Sequence, residues 1–315
     1  MKTAPLILLC NHRGDSPAEL VDQLSVAGHR VETTRNLRGS LDRIDGGLPD
    51  LIVVRPLVRG GLVELEAIDR ARAGAPPIPL LVVADRDSTT PALLAANVLG
   101  AGAWDMIYED SPREELRLRV TRLEAEVRIL SEMQDLRHRA SHDDRTDLLR
   151  AQAFEARAHE HFSAAQRHGF DLALVLVDLD AFGAVNKQHD HTVGDILIAQ
   201  VGEVIRRTLR TEDVAGRLGG DEFGVVLPYT RKLDAARVVS RLRDEIHKLS
   251  GRPAGAQSDV VVSASIGYET CSAGDIDSVG TLRNHAERAL REAKDQGGNR
   301  AVHYRTLARE APPED

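Results

Sequence analysis

Residues 217–227 read Arg217-Leu218-Gly219-Gly220-Asp221-Glu222-Phe223-Gly224-Val225-Val226-Leu227. Two glycines and two carboxylates stand between apolar stretches. Strand–Gly-Gly–strand signals a hairpin, because glycine reaches positive φ without steric cost. Taken alone, the stretch is a surface turn with two solubilising charges. A second stretch changes that reading. Val177-Asp178-Leu179-Asp180 is another apolar strand that ends in carboxylates. Two carboxylate-bearing strand ends in one domain suit a divalent cation and the phosphates of a nucleotide.

The chain around this pair has 315 residues, which is room for two ordinary domains. Apolar residues at 42% supply packed cores, and charged residues at 29% supply an ordinary surface. A net charge of −8 argues against non-specific binding to nucleic acid or membrane surfaces, so neither is expected as a partner. The two cysteines, Cys10 and Cys271, are far apart and form neither a disulfide framework nor a zinc-binding spacing. The apolar run at 6–10 is too short for a signal-peptide core or a membrane span. It is expected to be a buried strand, and the protein is expected to be cytoplasmic.

Residues 1–112 alternate continuous apolar runs at 6–10, 51–54 and 80–83 with helical patterns at 18–27, 62–73 and 90–99. Such runs fit parallel strands buried on both faces, and the alternation predicts a doubly wound, flavodoxin-like α/β domain. With Pro49-Asp50-Leu51-Ile52-Val53-Val54 and Gly100-Ala101-Gly102-Ala103-Trp104-Asp105, this part resembles a response-regulator receiver domain. The residues that would carry receiver chemistry are different. Cys10, Asn11 and His12 stand in place of the acidic pair, and Arg55 in place of the phosphate-accepting Asp. Val83 replaces the Thr or Ser, and Glu109 the Lys. Arg and a neutral amide cannot replace a carboxylate nucleophile and its metal ligands. The domain is therefore expected to escape phosphorylation and to serve docking to a protein partner or dimerisation.

A long helix is expected from Pro112, a residue tolerated at helix starts. Leu116, Val120, Leu123, Val127 and Leu130 alternate spacings of four and three, a coiled-coil seam. The seam fits either a core helix that runs on or a parallel two-helix stalk over 113–142. The stalk is the reading adopted here, because the pattern outlasts what one small domain buries.

Beyond residue 143 the expected elements are a helix, a strand at 171–178, a helix at 193–209, and a hairpin of 214–218 with 222–227. A helix at 233–249, a strand at 260–268, a helix at 278–295 and a strand at 300–304 follow, with a disordered tail at 310–315. Hairpins mixed with helical crossovers indicate an α+β sandwich with an antiparallel-containing sheet.

At matching relative spacings, residues 143–309 resemble the GGDEF, or diguanylate cyclase, family, whose palm-like sheet is shared with nucleotide cyclases. The resemblance rests on Asp178-Leu179-Asp180-Ala181-Phe182, Asn186, His191 and Gly194-Asp195, then on Gly219-Gly220-Asp221-Glu222-Phe223. It continues in Ala286-Glu287-Arg288-Ala289-Leu290, Ala293-Lys294 and Gly297-Gly298-Asn299-Arg300, with a fainter echo at Asp143, Thr146, Leu148 and Phe154. It implies condensation of two GTP into cyclic di-GMP and two pyrophosphates, across a homodimer joined through the receiver-like domain and stalk. Mg²⁺ or Mn²⁺ would be held by Asp178, Asp221 and the Leu179 carbonyl. Asp221 or Glu222 is the candidate base. Asn186 and Asp195 would read guanine beside Phe182, Gly219 and Gly220 would let backbone approach phosphate, and Lys294 would contact the terminal phosphates. Arg210 and Asp213 match the family's product-binding inhibitory RxxD motif.

The chain also departs from the family. Gly183 and Gly298 stand where the family carries a Lys and an Arg, Lys187 where it carries Asp, and Asp190 where it carries Gly. If the segment after Phe182 is helical, Lys187 lies one turn from Gly183 and restores the missing charge. The alternative is a weak or inactive enzyme that binds cyclic di-GMP as an effector.

Overall fold

A computed structural model describes residues 4–12, 15–26, 28–35, 49–55, 78–85, 98–100, 103–189, 191–256, 258–272 and 274–310. The helical stretch expected at 62–73, most of that at 90–99, Asp190 and the tail beyond residue 310 lie outside these. The chain divides into two compact units, residues 1–136 and 137–315.

In the first unit, β1 (Leu6–Asn11), β2 (Arg30–Thr34), β3 (Leu51–Arg55), β4 (Leu80–Ala84) and β5 (Asp105–Tyr108) form one sheet in the order β2-β1-β3-β4-β5. Every pair is parallel. This is the flavodoxin-like order, and the apolar runs are buried along their length as fully covered parallel strands must be. Helix α1 (Ala18–Val26) contributes Leu24 to the core.

Helix α2 (Arg113–Ser141) is continuous through the unit boundary. The seam expectation needs a correction here. Leu116, Val120 and Leu123 are buried in the first unit's core with Ile7, Leu9 and Leu81, so they are not available to a partner helix. Past that point the apolar residues Ile129, Leu130, Met133 and Leu136 are exposed.

The second unit holds a mixed sheet in the order β11-β10-β7-β9-β8-β6. Its strands are β6 (Leu149–Arg150), β7 (Leu172–Leu179), β8 (Val214–Gly219), β9 (Glu222–Pro228), β10 (Ala264–Cys271) and β11 (Ala301–His303). The central strands β7, β8, β9 and β10 pair antiparallel, and β6 and β11 join the edges in parallel. The strand expected from residue 260 begins at Ala264 instead, because Val260 is used in an isolated bridge to Gly251.

Helices α3 (Ala151–His168) and α7 (Val279–Asp295) cover one face of the sheet, with Phe154, Phe162 and Ala286 packed on Leu174 and Leu176. Helices α5 (His191–Thr208) and α6 (Lys232–His247) cover the other, with Leu197, Val201 and Val239 on Val175 and Val177. A short helix α4 (Phe182–His189) follows β7, and α8 (Tyr304–Glu310), unforeseen in the sequence, ends the described chain. Among the described residues no helix is long and apolar enough to cross a membrane.

Candidate active site

The centre of the sheet delivers the chemistry. Strand β7 is apolar until Asp178, which stands opposite Glu222 in β9 and opposite Ser265 in β10. The Gly219-Gly220 turn brings Asp221 to the same end, where the Leu179 amide donates to the Asp221 carbonyl at 3.3 Å. Helix α7 lies close over β10, and its last turn places Lys294 Nζ 2.7 Å from Asp178 Oδ2.

Burial pushes the Asp178 carboxyl above the ordinary carboxylate range. Lys294 opposes that shift, while Asp221 and Glu222 add to it. Asp178 thus pairs directly with Lys294, and Asp221 and Glu222 act on it through their charge. Among the described residues there is no cluster of three or more metal-binding side chains. A small divalent cation such as Mg²⁺ can be bound by one or two carboxylates together with substrate phosphates, so two carboxylates at one strand end fit it. Glu222 and Lys294 also line a cavity of about 260 Å³ with Val177, Leu218 and Arg291. A larger cavity, about 420 Å³, lies between α3 and α7 over Leu174 and Leu176 and contains none of these carboxylates.

Asp180, in the same motif as Asp178, does something else. Its carboxylate accepts from Ser263 Oγ at 2.7 Å, Ser265 Oγ at 2.6 Å and the Asn299 amide at 2.8 Å. It ties the end of β7 to β10 and to the loop after α7, and both its oxygens are engaged in doing so. In that loop Gly298 has φ +74°, and a Cβ there would lie 2.9 Å from Asp180 Oδ1. The departure from the family's Arg therefore sits at a crowded, left-handed position.

The other predicted residues fall into two groups. Phe182 and Asn186 lie on α4 against Gly194, where an added Cβ would meet Asn186 Oδ1 at 1.9 Å. Asp195 is next to Gly194 on α5, so the candidate base-reading residues gather at one helix corner. Arg145 Nη2 is 3.0 Å from Asp195 Oδ2. Gly183 and Lys187 share α4, an exposed helix face with open space at Gly183.

At the RxxD stretch, the Arg210 amide donates to Asp213 Oδ2 at 2.8 Å and the Asp213 amide to the Arg210 carbonyl at 3.2 Å. The loop thereby closes on itself and leaves the Arg210 guanidinium outward, 4.0 Å from Glu212. Burial raises the Asp213 pKa, Glu212 adds to this, and Arg210 and Arg241 oppose it.

Sequence reasoning gave no role to three residues that the structure brings in. Arg217 donates to the Gly220 carbonyl at 2.7 Å and 3.0 Å and to Asp143 Oδ1 and Oδ2 at 3.2 Å. Burial works against ionisation of Asp143, but the Thr146 hydroxyl and Arg217 hold its carboxyl below the ordinary range. The turn is thus braced from the segment just after the long helix. Arg241, on α6, donates to the Thr208 carbonyl at 2.6 Å beside the RxxD loop, and nothing local in sequence marks it. Arg145, next to Asp195, is the third.

In the first unit, β3 ends in Arg55. Its side chain is buried, donating to Asn11 Oδ1 at 3.3 Å and to Asp15 Oδ1 at 3.0 Å, and it also pairs with Glu109. The residue at this strand end is a cation bound within its own ion-pair network.

Residues 140–300 match the family described as diguanylate cyclase, GGDEF domain. The chain is 33% identical over 184 residues to the bifunctional diguanylate cyclase/cyclic di-GMP phosphodiesterase MucR of Pseudomonas aeruginosa, spanning 57% of this chain and 26% of that protein. It is 33% identical over 131 residues to diguanylate cyclase A of Treponema denticola, spanning 42% of this chain and 34% of that protein. The chain thus spans about a quarter to a third of the length of these curated relatives. The crystal structure of the coiled coil and GGDEF domain of DgcB from Caulobacter crescentus, in complex with c-di-GMP, superposes with a TM-score of 0.55 at 25% identity. That superposition covers 61% of this chain and all of the other.

Proposed function

This chain belongs to the GGDEF-domain diguanylate cyclase family, and on that footing we propose that residues 143–309 condense two GTP into cyclic di-GMP with release of two pyrophosphates. The observation that carries the proposal is Asp178 at the end of the central strand, paired with Lys294 and acted on by the charges of Asp221 and Glu222. In each half-reaction the 3′-oxygen of one GTP attacks the α-phosphorus of the other. The bond from α-phosphorus to the bridging oxygen breaks, and pyrophosphate leaves with its electron pair. Asp221 or Glu222 accepts the 3′-hydroxyl proton, and Lys294 neutralises charge on the departing phosphates.

Asp178, Asp221 and the Leu179 carbonyl would hold Mg²⁺ or Mn²⁺, which supplies charge neutralisation at the phosphates and lowers the pKa of the attacking hydroxyl. Asn186 and Asp195 orient guanine, and positioning of this kind supplies much of the rate in phosphoryl transfer. The second unit of each copy holds one GTP, so turnover requires two copies facing each other. The exposed apolar residues of α2 past Val127 support a paired stalk. Incubation of the purified chain with GTP and Mg²⁺ tests the whole reading, and absence of cyclic di-GMP at any enzyme concentration would reject it.

Two cations of the family pattern are glycines, and Lys187 is assigned to make up for one. Positions 183 and 187 lie four residues apart in the same helix and so share a face, which puts Lys187 where a cation at 183 would act. Lys187→Ala is expected to lower turnover by about tenfold or more, because one preorganised cation is lost. Unchanged turnover in the folded variant would remove Lys187 from the mechanism.

The outward Arg210 guanidinium, beside Asp213, supports product inhibition, since an arginine can engage guanine or phosphate through two parallel hydrogen bonds. Arg210→Ala is expected to leave the initial rate intact and to straighten progress curves that otherwise bend as cyclic di-GMP accumulates. The concentration of added product that halves the rate should rise at least about tenfold, the loss of one charged contact. The crowding at Gly298 favours a second reading, a weak enzyme that acts by binding cyclic di-GMP. Product binding without turnover would establish it.

The first unit is proposed as a receiver-like module that docks or dimerises without phosphorylation. Its buried Arg55 network supports this, because it has no carboxylate nucleophile at that strand end.

A further inference from the structure

The Arg145–Asp195 ion pair is not accounted for by stability. Both side chains are about half exposed, at 52% and 48%, and such surface pairs contribute little. Its position is more informative. Asp195 is the proposed guanine reader, beside Asn186 at the corner of α4 and α5. Arg145 comes from the turn after the long helix, and its main chain is fixed. Its amide donates to Asp143 Oδ1 at 3.3 Å, and the next residue, Thr146, is buried and donates to the same oxygen at 2.9 Å. The root of the side chain is anchored while its head stays open to solvent.

We infer that Arg145 is a specificity-determining residue, which donates to guanine O6 while Asp195 accepts from N1–H and the 2-amino group. This rests on the proposal that Asp195 reads the base. Along one edge, guanine presents an acceptor, a donor and a donor, namely O6, N1–H and N2–H. With Arg145 Nη2 3.0 Å from Asp195 Oδ2, the couple presents an N–H donor beside two carboxylate acceptors, the complementary order. Arginine has five N–H donors, so its pairing with Asp195 leaves others for a base. Adenine presents the opposite order, with its 6-amino group against the guanidinium and N1 against the carboxylate. A site whose polar groups are left unpaired by the wrong base rejects it.

Binding of 3′-deoxy-GTP, 3′-deoxy-ITP and 3′-deoxy-ATP to the full chain, measured calorimetrically with Mg²⁺ present, tests the assignment, since none of the three can be condensed. Arg145→Ala is expected to weaken the two 6-oxo nucleotides at least about fivefold and to leave 3′-deoxy-ATP unchanged or bound more tightly. The inosine and guanine losses should match, because O6 is common to both. An unchanged preference over 3′-deoxy-ATP would overturn the assignment. Tighter binding of 3′-deoxy-GTP would also overturn it, making Arg145 a competitor for Asp195. If Asp195→Asn lowers the 6-oxo preference and Arg145→Ala does not, Arg145 alone is wrong. If the unvaried chain shows no such preference and Asp195→Asn changes nothing, the base-site reading fails and this assignment falls with it.

Discussion

Asp178→Asn is expected to lower cyclic di-GMP formation by on the order of 10²- to 10³-fold or more, while the chain stays folded and melts no lower than before. Both halves of this expectation come from one environment. Asp178 is 7% exposed, at the end of the central strand, and faces Lys294, Asp221 and Glu222. Losing its charge removes one of the two carboxylates that would hold the divalent cation, and it frees Lys294 from its position. Asparagine keeps the size and an oxygen but cannot match an anionic oxygen donor for a hard cation.

The stability half follows from the raised pKa. The folded state favours the protonated carboxyl more than the unfolded state does. Stability therefore falls as pH rises from the unfolded value through the higher folded value, and ionised Asp178 is a liability near neutral pH. Asparagine cannot ionise and removes that liability, while Lys294, 44% exposed, is resolvated. The melting temperatures of variant and unvaried chain should converge below about pH 4 and separate in favour of the variant near neutrality. Substantial residual turnover would break the assignment of Asp178. A variant that melts lower at neutral pH would show instead that its pairing with Lys294 is structural.

What could be read from the sequence follows the range of the interactions. The hairpin at Gly219-Gly220, the apolar run ending in Asp178 and the helix carrying Lys294 are local patterns, and their order along the chain brings them together. Asp180 reads like a twin of Asp178, yet both its oxygens are taken by Ser263, Ser265 and Asn299, partners more than 80 positions away. Period-two alternation puts Asp178 and Asp180 on the same face of an extended strand, and only the end of β7 separates their roles. The stalk seam was misjudged in its first half because spacings of four and three also describe a helix lying on a sheet. Leu116, Val120 and Leu123 do the latter. Arg145 and Arg217 act across turns and strands, where no periodicity points to them.

Gly267→Ala is expected to destabilise the second unit by about 3 kcal/mol or more, at the upper end of overpacking effects. An added Cβ would lie 2.1 Å from the Leu290 amide nitrogen, 2.3 Å from the Ala286 carbonyl oxygen and 2.6 Å from Leu290 Cα. These are main-chain atoms of α7, so no side-chain rotation relieves the contact, and the helix itself must lift from β10. For a domain of this size the melting temperature should fall by about 6–12 °C. The helix that lifts is the one whose next turn places Lys294 on Asp178. Turnover per folded molecule should therefore drop as well, at temperatures where circular dichroism reports full helicity. Gly183→Ala is the matched control, since its added Cβ meets nothing within 4 Å and helix propensity favours alanine. That variant should melt at or above the unvaried temperature. Equal melting of all three chains would show that α7 does not sit on Gly267, and that the placement of Lys294 depends on something other than this close contact.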